Sequence, residues 1–310
     1  MRTHMDYELA IIGAGPAGYS AGIYAARSGI KTALFDRGDG GGRAVLSPKI
    51  ENYAGFESIP GAELMEKMKR HAEKYVTMHL YEEVKTIHPS TDTFTLETTK
   101  ANYSVGAILL CTGTEHKTLD IPGEKEFLGK GVSYCATCDG FFFKGKHVAV
   151  MGGGNTAFME AIFLKQIGCK NVTLVHRREQ LRAEKIYETE AREKHIQILL
   201  NKEAERILGG DTVESLQLTD VASGKKSVLE VDGVFISVGE TPQNELAKIL
   251  GLTLNDHGYI VVDRQQRTNI KGVYAAGDIT GGVRQVITAC AEGAIAALSS
   301  TEALGKKYPY

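Results

Sequence analysis

No apolar run among the 310 residues approaches the roughly 20 that a membrane-spanning helix needs, so none is expected. Neither sign of charge is in excess: 36 Lys and Arg face 38 Asp and Glu, a formal net charge of −2. A nucleic-acid binder would carry a basic surplus, so that class is set aside. Cysteine is scarce, at five, and the odd count is no disulfide scaffold; a reducing, cytoplasmic location is expected. The opening segment Met1–Tyr7 is polar and lacks a basic-then-apolar leader. The pair His4–Met5 reads as a natural start at Met5 or a cloning scar. What is present is ordinary globular composition, 43% hydrophobic and 24% charged, in a length that suits about two domains. Only glycine stands out, at 35 residues, which implies loops or close backbone approach to ligands.

The glycines are organised, because one unit occurs twice. Leu9–Ile12 is an apolar run followed by Gly13, Gly15 and Gly18 in GxGxxG spacing. A helix-compatible stretch to about Ser28 and a second apolar run, Lys31–Phe35, end in Asp36. In strand–turn–helix–strand context, Gly13 permits the tight turn, Gly15 lets the backbone approach a pyrophosphate and Gly18 lets the helix pack on the strand. The helix N-terminus offers N–H groups to phosphates, and Asp36 can accept from a ribose hydroxyl. The pattern returns 139 residues later, from Gly13 to Gly152, as Gly152, Gly154 and Ala157 in HVAVMGGGNTA. The strand that follows, Asn171–Val175, ends in His176–Arg177–Arg178, with Arg182 beyond, and no acid. Cations at that place suit a ribose 2′-phosphate, which the planar Arg fork binds bidentately. The first turn thus expects an adenine dinucleotide with a free ribose, and the second NADPH.

Between the turns, Ser133–Gly140 reads SYCATCDG, pairing Cys135 with Cys138. Three readings compete. Zinc needs about four ligands, and no second CxxC or HxxxH is present, so no metal is expected. Two buried structural thiols are the second reading. A redox-active dithiol is the third and is favoured. Asp139 is either a proton carrier for thiolate chemistry or a capping carboxylate. NADPH donates hydride, whereas a disulfide is opened by attack at sulfur. A flavin can mediate between them, which makes the first dinucleotide FAD. Towards the C-terminus, the run Lys271–Ala276 brings Gly277–Asp278 to a strand end. A helix-like run from about Val286 to Leu298 follows Arg284–Gln285, and its first N–H groups could face the flavin N1/O2 edge.

These segments, with Glu51–Phe56 (ENYAGF) and Cys111–Thr114, occur in the order that resembles the low-molecular-weight, bacterial and archaeal type thioredoxin reductases, from Tyr7 to about Leu298. The resemblance implies an α/β fold of two Rossmann-like domains. An NADPH domain, 117–243, would be inserted into a discontinuous FAD domain, 1–116 and 244–310. It implies a homodimer that passes electrons from NADPH to FAD, to the Cys135–Cys138 disulfide and on to thioredoxin or a glutaredoxin-like partner. Cys138 would face the flavin, Cys135 would attack the partner and Asp139 would be the acid/base. FAD would be held by Gly13, Gly15, Pro16, Ala17, Asp36, Arg43, Asn52, Thr112, Gly113, Asp278, Arg284, Gln285 and Val286. NADPH would be held by Gly152, Gly154, Asn155, Thr156, His176, Arg177, Arg178 and Arg182. The inserted domain would rotate about crossings flanked by Thr118 and Pro242–Gln243.

Two departures stand out. Arg43 replaces the family's usual Gln, and a cation there would favour an anionic reduced flavin. It resembles archaeal relatives, some of which accept electrons from a reduced deazaflavin. Asn155–Thr156 replaces the commoner Asp-Ser. NADH or a deazaflavin as donor, and a flavin dithiol oxidase using O₂, are the alternative activities; relatives of the oxidase kind tend to lose the Arg177, Arg178 and Arg182 cations.

Overall fold

The computed structural model describes residues 5–307, so the reading of His4 lies outside the described residues. The chain forms two compact units, one made of residues up to Glu115 together with those from Thr241 onward, the other of His116–Glu240. The first segment contains β1 (Tyr7–Ile12), α1 (Pro16–Arg27), β2 (Thr32–Phe35), α2 (Gly61–Glu73), β3 (Thr77–His79), β4 (Val84–Pro89), β5 (Phe94–Thr98), β6 (Asn102–Leu110) and β7 (Thr114–His116). Next come β8 (Val132–Ser133), α3 (Ala136–Asp139), β9 (His147–Met151), α4 (Asn155–Gln166), β10 (Asn171–Val175) and α5 (Lys185–Glu193). They are followed by β11 (Gln197–Leu199), β12 (Lys202–Gly209), β13 (Val213–Asp220), β14 (Lys226–Glu230), β15 (Gly233–Ile236) and β16 (Glu240–Pro242). The chain returns through α6 (Glu245–Leu250), β17 (Val273–Ala275) and α7 (Val286–Ala303).

The α/β class expected from the motifs is what the chain adopts. In the first unit β3, β2, β1 and β6 are parallel neighbours, β17 runs parallel beside β6, and β5 and β4 continue antiparallel. Strands covered on both faces read as continuous apolar runs, and β2 is buried at every residue. α1 and α7 cover one face, and α6 lies among the core residues of the other. The second unit centres on the parallel order β11-β10-β9-β15-β8 and carries the antiparallel sheet β12-β13-β14. In both units the glycine-turn strand is central, with its next strand on one side and a later strand on the other. Such switch points leave a crevice at the strands' C-terminal ends.

A buried polar network pins the end of β2 in place. Glu82 is 3% exposed. One of its oxygens accepts from the hydroxyls of Thr98, at 2.7 Å, and Tyr103, at 3.1 Å. The other faces His79 Nδ1 at 3.1 Å, while His79 Nε2 meets the Tyr7 hydroxyl and the ring stacks on Phe35. The Glu82 N–H donates to the Asp36 carbonyl at 2.9 Å, so the network fixes the residue expected at the ribose. Burial pushes the Glu82 carboxyl up, but hydrogen bonds from Thr98, His79 and Tyr103 outweigh it and hold it below the usual range. Glu82→Ala strands these donors and should cost about 3 kcal/mol in urea unfolding at pH 7. A carboxyl held low stabilises the fold above its unfolded value of ~4.3 and stops doing so as pH falls through the lowered value. The gap between variant and parent should therefore narrow below about pH 4. A gap constant down to pH 3 would show packing, not charge, to be the cause.

Candidate functional site

The first glycine turn is built by close approach. Gly13 has φ +110, and a Cβ there would stand 2.2 Å from the Cys111 carbonyl oxygen. A Cβ on Gly18 would stand 1.9 Å from the Gly13 oxygen, and one on Gly293 of α7 2.1 Å from the Ala17 oxygen. Neither helix can move off without opening the core. In front of Gly15 nothing but the Gly42 Cα comes within 4.0 Å. Gly15 is the N-cap of α1 with no side-chain cap, Pro16 follows, and the first turn carries no acid. Uncapped N–H groups facing open space fit a pyrophosphate. Asp36 stands at this turn, but its carboxylate accepts from the Ala14 N–H at 2.7 Å and the Gly38 N–H at 2.8 Å, so it clamps the loop.

Distant segments converge around this turn. Arg43 is buried enough that its pKa is pushed down, opposed by Asp278, whose carboxylate lies 3.7 Å away. Arg43 also donates to the Thr114 hydroxyl, and Arg284 donates to the Tyr259 hydroxyl at 3.0 Å. Burial raises the Asp278 carboxyl, and Arg43 opposes this. Asn52 donates to the Gln285 side chain at 2.9 Å, and Gln285 caps α7 immediately before Val286. The Thr112 hydroxyl donates to the Gln243 carbonyl at 2.7 Å, and the Gly113 carbonyl accepts the Gln243 N–H at 3.0 Å. Tyr259 and Glu292 were not legible in the sequence. Glu292 accepts from the Gly277 N–H at 2.7 Å and so holds the turn that presents Asp278. Its only signal is an acid amid the small and apolar residues of the middle of α7.

The second turn repeats the first with different fastenings. A Cβ on Gly152 would stand 2.4 Å from the Ser237 oxygen, while nothing lies within 4 Å of one on Gly154. Gly154 is the N-cap of α4, without side-chain cap or acid in the first turn, ahead of Asn155 and Thr156. Asn155 exchanges two hydrogen bonds with Glu184, at 2.7 and 2.8 Å. The Arg182 N–H donates to the Gly153 oxygen at 2.8 Å, drawing the cationic loop to the turn. Arg177, Arg178 and Arg182 are exposed. His176 is 6% exposed, its ring pressed so close to Gly153 that a Cβ there would stand 2.3 Å from it. Its Nε2 lies 3.2 Å from the Gln180 carbonyl, which can only accept, so that nitrogen carries the proton. Burial pushes its pKa down.

Cys135 and Cys138 are joined as a disulfide across a Cα separation of 5.3 Å. Among the described residues no group of three or more His, Cys, Asp or Glu could hold an ion. Cys135 is the N-cap of the single-turn α3, which ends in Asp139. A Cβ on Gly140 would stand 2.8 Å from Leu164 of α4, so the motif lies directly on that helix. Burial raises the Asp139 carboxyl, and the Ser133 hydroxyl, 2.6 Å from Oδ2, opposes this. Its Oδ1 is buried and unpartnered. Ser133 is the residue that sequence reading missed here. The remaining thiols are quiet: Cys111 is buried with its pKa pushed far up, and burial pushes Cys169 and Cys290 up to about 11.

Residues 7–293 match the family described as pyridine nucleotide-disulphide oxidoreductase. The thioredoxin reductase of Bacillus subtilis is 40% identical over 296 residues, 94% of this chain and 93% of that protein. That of Treponema pallidum is 42% identical over 295 residues, 94% and 95%. The crystal structure of thioredoxin reductase from Streptococcus pyogenes superposes with a TM-score of 0.92 at 38% identity, covering 96% of this chain and 98% of that one. Two open glycine turns and a CxxC disulfide, over nearly the whole length of such relatives, place the chain in the pyridine nucleotide-disulphide oxidoreductase family, as an oxidoreductase that works with a flavin and a pyridine nucleotide.

Proposed function

We propose that the chain is an NADPH-dependent thioredoxin-disulfide reductase holding FAD. The observation that carries this reading is the Cys135–Cys138 disulfide beside the half-buried carboxyl of Asp139, in the unit whose glycine turn is flanked by three arginines. FAD belongs to residues 1–116 and 244–310, and NADPH to 117–243. The N-terminus of α1 receives the FAD pyrophosphate. Gly13, Gly15, Pro16 and Ala17 supply the close backbone, while Asp36 faces a ribose hydroxyl and Asp278 a polyol hydroxyl. Arg43, Asn52, Thr112, Gly113, Arg284, Gln285 and Val286 surround the ring end. Gly152, Gly154, Asn155 and Thr156 take the NADPH pyrophosphate at α4. Arg177, Arg178 and Arg182 take its 2′-phosphate, and His176 holds the loop they stand on. When bound, the flavin supplies two-electron chemistry between nicotinamide and disulfide. Cys138 receives the electrons, Cys135 attacks the thioredoxin disulfide, and Asp139 moves the proton that the thiols need. Burial keeps Asp139 protonated to higher pH than a free carboxyl, which suits a donor. The working form is a cytoplasmic homodimer.

Anaerobic titration of the purified yellow protein tests the reading. NADPH should bleach the flavin at far lower concentration than NADH, and thioredoxin should then be reduced. Bleaching by dithiothreitol but by neither nucleotide would remove NADPH as donor.

A further inference from the structure

One hydroxyl joins the two halves of the redox motif. Ser133 ends β8, is paired with Phe235 of β15 and is 3% exposed. Its Oγ donates to Asp139 Oδ2 at 2.6 Å and accepts the Cys135 N–H at 3.0 Å. The Cys135 carbonyl, at 3.4 Å, competes for the same proton. A serine has one proton to give, and a short bond to a carboxylate is roughly twice as strong as a neutral one. The proton therefore goes to Asp139. The backbone of β8 is fixed in the parallel sheet, whereas Asp139 ends a four-residue helix and its other oxygen, Oδ1, is unpartnered.

We propose that Ser133 is the positioning residue of the redox centre: it anchors the Asp139 carboxyl and the Cys135 backbone to the sheet and leaves Oδ1 as the atom that takes up and releases the proton. The proposal rests on the reading of Asp139 as proton carrier. The elements packed on α3 are α4, with Glu160 and Lys165 as its charged side chains, and the turn Gly140–Phe143, which runs to Lys144. Cys135 and Cys138 join the titratable groups once reduced. The influences on Asp139 are burial, upward, and Ser133, downward. Loss of the hydroxyl therefore makes Asp139 hold its proton to higher pH.

In Ser133→Ala holoenzyme, kcat for thioredoxin should fall about tenfold, as expected for one hydrogen bond to a charged group, with KM unchanged. A second readout does not use the flavin: the dithiothreitol-reduced protein is alkylated with iodoacetamide across pH. The step due to Asp139 should move to higher pH in Ser133→Ala and in Ser133→Val, keep its place in Ser133→Thr, and vanish in Asp139→Asn. The isosteric Val and Thr variants separate loss of the hydroxyl from change of volume. A step that keeps its parental pH in both Ala and Val variants overturns the role of Ser133. A step that survives Asp139→Asn overturns the reading of Asp139 and the proposal with it. Adding Ser133→Ala to Asp139→Asn should create no new step and move none in the alkylation profile, because the hydroxyl acts on the proton only through Asp139; a shift in the double variant would show that Ser133 acts on the thiols by another route and overturn the proposal.

Discussion

Cys135→Ser should abolish thioredoxin turnover, by about a thousandfold or more, and leave reduction of the flavin by NADPH intact. Serine cannot form the disulfide, and its hydroxyl remains protonated where a thiol ionises. None of the three thiols outside the pair can stand in. Burial pushes Cys111 far up and Cys169 and Cys290 up to about 11, so little thiolate exists at neutral pH. The local frame should survive the change, since the Cys135 backbone N–H still donates to the Ser133 hydroxyl and Ala136 remains the buried anchor of α3. Coupled NADPH oxidation with thioredoxin reads the loss, and anaerobic bleaching reads the retained half. Continued thioredoxin turnover would assign the exchange to Cys138 and reverse the roles of the pair.

What the sequence discloses here is local. The two glycine turns, the CxxC and the cationic strand end each lie within about a dozen residues, so spacing alone carries their geometry. Arg43 could be named from sequence, but its ion pair with Asp278, 235 residues on, and the nearby Tyr259 come from the fold. His176 shows the limit differently. Its position beside Arg177 suggests a phosphate ligand, yet its ring is spent on Gly153 and on the Gln180 carbonyl, contacts that depend on how β10 meets the turn. Asp36 likewise has its oxygens on two backbone N–H groups, so a ribose hydroxyl has to share them. Glu82 and Ser133 gave no periodic or spacing signal, because a buried hydrogen bond is a property of packed strands.

The arginine pair should decide between the nucleotides. Arg177 and Arg178 follow β10 just after His176, beside the place where the first unit has Asp36, and both face solvent. Each guanidinium on a 2′-phosphate makes hydrogen bonds to a charged group worth about 1.5–3 kcal/mol, reduced by exposure and by salt. Arg177→Ala combined with Arg178→Ala should therefore raise KM for NADPH about a hundredfold and change KM for NADH less than about threefold. The parent's KM for NADPH should climb with ionic strength, and the double variant's less steeply, because two of the three screened cations are gone and only Arg182 remains. His176 remains buried against Gly153 in the variant, so the turn itself is kept and an effect on the pyrophosphate is not expected. Equal losses for both nucleotides would mean that the arginines support the loop and read no phosphate.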